Sequence, residues 1–146
     1  IMKYISESLN DTRRLAAKLA YKVSPGTVIA LNGNLGTGKT TFTQGFAKSI
    51  GITESVVSPT FKLVSEYQGN KSWLYHIDAY RMKGHQDFLN IGGEKYLIPI
   101  SGITIIEWAN IIKILIPDNA IQISFDRIKD SPNARQITIT GLNNEF

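Results

Sequence analysis

Eight consecutive residues, Gly33-Asn34-Leu35-Gly36-Thr37-Gly38-Lys39-Thr40, carry the most specific chemistry in the chain. Three glycines in so short a span let the backbone turn tightly and leave its N–H groups free to surround an anion. A helix that starts where the loop ends would add the positive end of its dipole to the same place. Lys39 supplies a point charge for the outer phosphates of a nucleotide, and the Thr40 hydroxyl can enter the coordination shell of Mg2+. The spacing is that of a P-loop, so Gly33, Gly36, Thr37, Gly38, Lys39 and Thr40 are expected to bind the phosphates of a Mg-nucleotide, ATP or ADP.

Such a site also needs a carboxylate near the metal, and often another group to position the attacking water. Asp78 and Glu107 each close an apolar run, Trp73 to Ile77 and Ile103 to Ile106. Parallel α/β sheets hold ligands beyond the carboxyl ends of their strands, which is where the glycine loop emerges. Either residue alone reads as a polar strand end facing solvent; behind a P-loop, the metal and hydrolysis roles are the better reading. His76 shares a strand face with Asp78 and is expected to be a buried, hydrogen-bonded histidine rather than a catalytic one. Ser58-Pro59-Thr60-Phe61 falls where P-loop switches sense a γ-phosphate, which makes Thr60 the candidate sensor, although Ser-Pro-Thr is also a common turn sequence.

The elements that must position these residues alternate in period along the chain, with no repeat or low-complexity tract. Lys3 to Ser6 reads as a short strand, and Asp11 to Tyr21 as a helix with Leu15, Ala16, Leu19 and Ala20 on one face. Val28 to Leu31 has the continuous apolar run of a strand buried on both faces, and Thr40 to Ile50 reads as a helix closed by Gly51. Ser58 to Tyr67 is a proline-interrupted stretch running from loop to strand. Ala120 to Phe125 and Gln136 to Thr140 alternate as antiparallel or edge strands do, with Ser131-Pro132-Asn133 as the turn between them. The expected fold is α/β: one P-loop domain over residues 1–146, with a mainly parallel central sheet, flanking helices and antiparallel C-terminal edge strands.

Composition narrows the classes further. The chain has 146 residues, no cysteine and a net charge of +4, which excludes disulfides and thiolate metal sites. No apolar run approaches the roughly 20 residues of a membrane span, and the N-terminus lacks the order of a signal peptide, so no membrane partner and a cytoplasmic location are expected. Lysines scattered from Lys3 to Lys129 read as a solvated surface rather than an RNA-binding patch.

Gly-Asn-Leu-Gly-Thr-Gly-Lys-Thr-Thr, Ser58-Pro59-Thr60-Phe61-Lys62-Leu63-Val64, His76-Ile77-Asp78-Ala79-Tyr80-Arg81 and Glu107-Trp108, in this order and spacing, resemble the TsaE family, also called YjeE. The resemblance runs from Ser6 to Arg135. It implies a bacterial ATPase that works with TsaB and TsaD to install threonylcarbamoyladenosine in tRNA, supporting the modification without making the bond, and meeting tRNA only through that complex. It further implies that Gly36 to Thr41 bind the phosphates, with Thr41 included, that Thr40 and Glu107 hold Mg2+ with Asp78 close by, and that Asp78 assists hydrolysis. Thr60 and Trp108 would belong to the nucleotide-responsive region, Leu9 and Thr12 would lie near the adenine, and the loop near Ser131 would complete that pocket.

The chain departs from the family pattern after Arg81, where Gln86 to Gly92 holds fewer acids than usual; Asn34 stands for a common Asp and Ala109 for a common Pro. Two other classes use the same loop. A small-molecule kinase would normally close an arginine-bearing lid, but Arg13, Arg14, Arg81, Arg127 and Arg135 are not expected to cluster as one, and Arg81 is the arginine nearest the motifs. A GTP switch would show Asn-Lys-x-Asp, and Asn70-Lys71-Ser72-Trp73 lacks the Asp.

Overall fold

The alternation of period becomes one mixed seven-stranded sheet in the computed structural model, which describes residues 1–59 and 61–142. The strands are β1 (Met2–Ser6), β2 (Val28–Gly33), β3 (Val64–Gln68), β4 (Trp73–Asp78), β5 (Gly102–Glu107), β6 (Ile121–Ile128) and β7 (Ser131–Thr140). Their order across the sheet is β1-β7-β6-β2-β5-β4-β3. The four central strands run parallel, while β7 and β1 on one side and β3 on the other are antiparallel to their neighbours. The expected antiparallel edges are therefore present, with β1 outside the C-terminal pair.

Two helices, α1 (Leu9–Lys22) and α2 (Lys39–Ser49), cover one face. Alternation along β2 divides the core: Ile29 and Leu31 pack with Leu15, Leu19, Phe42 and Phe46 of the helices, whereas Val28 and Ala30 face the opposite cluster with Ile77, Phe88, Tyr96 and Ile112. That second layer consists of α3 (His85–Asn90) and 3-10 turns over Gly93–Leu97 and Ala109–Leu115. The same parity fixes the chemistry. Leu74 and Ile105 belong to the cluster under α1 and α2, so His76 and Asp78 on β4 and Glu107 on β5 project from the helix-covered face, where α2 begins.

Most elements extend a few residues beyond or short of the expected ranges, and three of these differences shape the site. Helix α1 begins at Leu9 because Ser8 caps it: its hydroxyl accepts from Asp11 N at 3.0 Å, and Asp11 Oδ2 accepts from Glu7 N at 2.9 Å. Helix α2 begins at Lys39, directly on the loop. The turn expected at Ser131-Pro132-Asn133 lies instead at Lys129 and Asp130, with Asp130 in the left-handed region at φ 64°. Ser131 already pairs with Ile128, but Arg127 pairs with Arg135, so Pro132 to Ala134 form a bulge in β7. No helix among the described residues is long and apolar enough to cross a membrane.

Candidate nucleotide site

A cleft of about 490 Å³ opens over the carboxyl ends of the central strands. Its floor is the glycine loop and the first turn of α2. Gly38 occupies the N-cap with φ 113°, and no side chain caps the helix, so the first N–H groups of α2 remain available to an anion in the cleft. Gly33 sits where a Cβ would come within 2.7 Å of Thr37 Oγ1 and 2.8 Å of Phe125 O. Only glycine allows that approach. Thr37 is buried and spends its hydroxyl on Asn34 O at 2.7 Å, holding the loop in shape.

Lys39 is 5% exposed. Its amine donates to the carbonyls of Gly33 and Asn34, the latter at 3.0 Å, and lies 4.3 Å from the centre of the Trp108 ring. Burial lowers its pKa, and the neighbouring Glu107 and Asp78 carboxylates oppose that shift. A partly desolvated ammonium held by weak neutral acceptors is suited to exchange them for an anion.

The strand ends converge on the same point. Thr40 Oγ1 lies 3.2 Å from Glu107 Oε1, 3.3 Å from Oε2 and 2.8 Å from Ser58 Oγ. Glu107 is 3% exposed, and its Oε2 is 2.5 Å from His76 Nε2. His76 is therefore buried and hydrogen-bonded, as its position in the strand implies. Asp78, directly beside Glu107 in the parallel register, accepts from Tyr80 N at 2.9 Å. Burial raises the Asp78 pKa, the Tyr80 hydrogen bond partly offsets this, and Glu107 adds to the rise.

The other end of the cleft is walled by Ser6 to Leu9, Thr12, Pro132, Asn133 and Arg135. Leu9 is exposed, at the first position of α1. Thr12 is buried, with its hydroxyl 2.7 Å from Ser6 Oγ, so it serves as wall and brace. Ser131 is not on the wall; its neighbours Pro132 and Asn133 are, carried there by the bulge. Gly36, Thr37, Gly38, Lys39, Thr40, Thr41, Asp78 and Glu107 all border the cleft, whereas Gly33 does not line it. Thr60 lies outside the described residues.

Residue chemistry along the sequence did not reveal the arginines. Arg127 and Arg135, eight positions apart, face each other across β6 and β7 and donate to consecutive loop carbonyls, Leu35 O at 2.5 Å and Gly36 O at 3.1 Å. Like charges directly opposite normally repel; here the loop carbonyls take up both. Arg81 instead stacks 5.3 Å from the Phe61 ring. Ser58 and Tyr80, given no individual role from the sequence, also border the cleft, and the Tyr80 ring packs 5.0 Å from Trp108. The pairing of the arginines depends on the bulge at Pro132 to Ala134, which no local sequence signal announces.

A family model described as threonylcarbamoyl adenosine biosynthesis protein TsaE matches residues 6–137. The tRNA threonylcarbamoyladenosine biosynthesis protein TsaE of Bacillus subtilis is 37% identical over 145 residues, covering 99% of this chain and 89% of that one. The protein of the same name from Treponema pallidum is 35% identical, covering 94% and 99%. The crystal structure of Bacillus subtilis YdiB superposes with a TM-score of 0.76 at 35% identity, covering 97% of this chain and 86% of that one.

Proposed function

The chain belongs to the TsaE family, and from that premise we propose that it is a cytoplasmic Mg-dependent ATPase supporting threonylcarbamoyladenosine modification of tRNA. It acts with TsaB and TsaD and reaches tRNA through them, without forming the modified nucleoside itself. The observation that carries this reading is the meeting of Thr40 and Glu107, 67 positions apart in sequence and 3.2 Å apart in space, at the start of α2.

The donors gathered there, a hydroxyl and the Glu107 carboxylate with Asp78 on the adjacent strand, are all oxygen and suit a hard cation. Mg2+ held by them would neutralise charge on the transferring phosphoryl group. The chain's own residues do the rest. The loop and the N–H groups of α2 hold the phosphates, and Lys39 exchanges the Gly33 and Asn34 carbonyls for the outer phosphates. Asp78 orients the attacking water, a post that suits a carboxylate whose pKa burial has raised. Leu9, Pro132 and Asn133 enclose the nucleoside end, and Thr60 senses the γ-phosphate.

The test is phosphate release from ATP against TsaB and TsaD concentration. Slow turnover alone, and acceleration by about 10³-fold or more on adding the partners, is the expected result. A phosphorylated acceptor in place of free phosphate would mark a kinase, and preference for GTP a regulatory switch. Fast turnover with no partner response would reject the accessory role.

A further inference from the structure

His76 is completely buried in β4, yet its Nδ1 has no hydrogen-bond partner among the described residues. An apolar side chain would fill that space without leaving a polar atom unpaired, so packing alone does not account for a histidine. What the imidazole adds is its other nitrogen, 2.5 Å from Glu107 Oε2. A carboxylate only accepts, so the proton of that contact is carried by Nε2.

Among the described residues, the remaining hydrogen bonds to the Glu107 carboxylate come from Thr40 and Ser58, whose hydroxyl hydrogens can rotate. His76 is a rigid ring on the strand beside β5, in the register that sets Asp78 against Glu107. We propose that His76 is a positioning residue: it pins Oε2 of Glu107 and leaves Oε1, 3.2 Å from Thr40 Oγ1, as the oxygen offered to a divalent cation. The inference rests on the reading of Thr40 and Glu107 as the metal pair. Metal-binding carboxylates are commonly held by such outer contacts, and their loss lowers metal affinity about 10- to 100-fold.

Three variants separate positioning from packing. His76→Leu fills the space without a donor, His76→Gln brings an amide N–H to the place of Nε2, and His76→Asn is equally polar but too short to reach Glu107. ADP binding is measured by calorimetry in EDTA and across a Mg2+ series, with Mn2+ binding followed by electron paramagnetic resonance. Positioning predicts ADP affinity in EDTA within about twofold of wild type for all three. The Mg2+ half-point should rise about 10- to 100-fold in His76→Leu and His76→Asn, and His76→Gln should recover most of the loss. A wild-type half-point in His76→Leu, or equal losses with and without metal, would overturn the proposal. If His76→Leu does not fold, the other two decide, and equal half-points in His76→Gln and His76→Asn would overturn it. A wild-type protein whose ADP binding ignores Mg2+ would instead reject the metal pair itself, and this inference with it.

Discussion

The two ends of the cleft are built from different materials. At the end proposed to hold the phosphates, three of the polar side chains are buried: Lys39 is 5% exposed, Glu107 3% and His76 not at all. They project from the ends of regular parallel strands or from the first turn of a helix, and Thr40, Glu107 and His76 touch side chain to side chain. At the nucleoside end, Leu9 is 60% exposed and the facing wall is a bulge in β7. Among the described residues, Arg135 bonds there to backbone carbonyls, Gly36 O, Pro132 O and Ala134 O. Buried charge demands fixed partners, because an unpaired ion in low dielectric is far costlier than a loosely fitted apolar surface. The difference predicts steep losses at one end and shallow ones at the other.

The largest expected effect is on turnover in Glu107→Gln. The amide keeps the shape and still accepts from His76 and Thr40, so the fold and nucleotide binding should survive. Hydrolysis should fall about 10²- to 10⁴-fold, the range for a misplaced catalytic group. An unchanged rate would remove Glu107 from the metal. Next comes Lys39→Ala, which would remove the proposed charge-assisted contact to the outer phosphates, typically about 1.5–3 kcal/mol, or roughly 10- to 150-fold in ATP affinity by calorimetry. Wild-type affinity in a folded variant would show that the loop is not the phosphate site.

This contrast also explains how much of the protein was legible in its sequence. Asp78 and Glu107 could be placed on one edge because period-2 alternation and continuous apolar runs survive translation into parallel strands. His76 could be assigned to the same face for the same reason. The nucleoside end has no period to read. Ser131-Pro132-Asn133 has the composition of a turn, but the left-handed residue is Asp130, and the proline segment bulges from the strand. The opposition of Arg127 and Arg135 depends on that bulge: an uninterrupted hairpin closing at Ile128 and Ser131 would have set Arg127 against Pro132. A three-residue slip of register is a tertiary fact, invisible to local propensity.

Arg135→Ala probes the shallow end. It frees Gly36 O and the bulge carbonyls, which lie near enough to the surface for water to replace the lost donor, so the net loss should be that of an ordinary hydrogen bond. ATP and ADP should both bind roughly fivefold more weakly, since the loop and the wall are common to both. A loss confined to ATP, or one matching Lys39→Ala, would place Arg135 on the outer phosphates and erase the contrast between the two ends.

The smallest effect is on stability, and it has the opposite sign. Burial raises the pKa of Asp78 above its ordinary 3.8, so between that value and the raised one the folded protein binds more protons than the unfolded chain. Stability then falls as pH rises through that window, and the deficit persists at neutral pH. Asp78→Asn removes the charge, while its amide oxygen can still accept from Tyr80 N. Because Asp78 is only half-buried, solvent screens much of the cost, and the gain should be well under the scale of a buried ion. We expect a melting temperature about 1–3 °C above wild type at pH 7, shrinking toward zero as pH approaches 4, together with a large loss of hydrolysis. Thermal scans across pH 4 to 8 check the sign. A variant less stable than wild type at pH 7 would show that the Asp78 carboxylate holds the strand end together, and that its charge is no burden on the phosphate end.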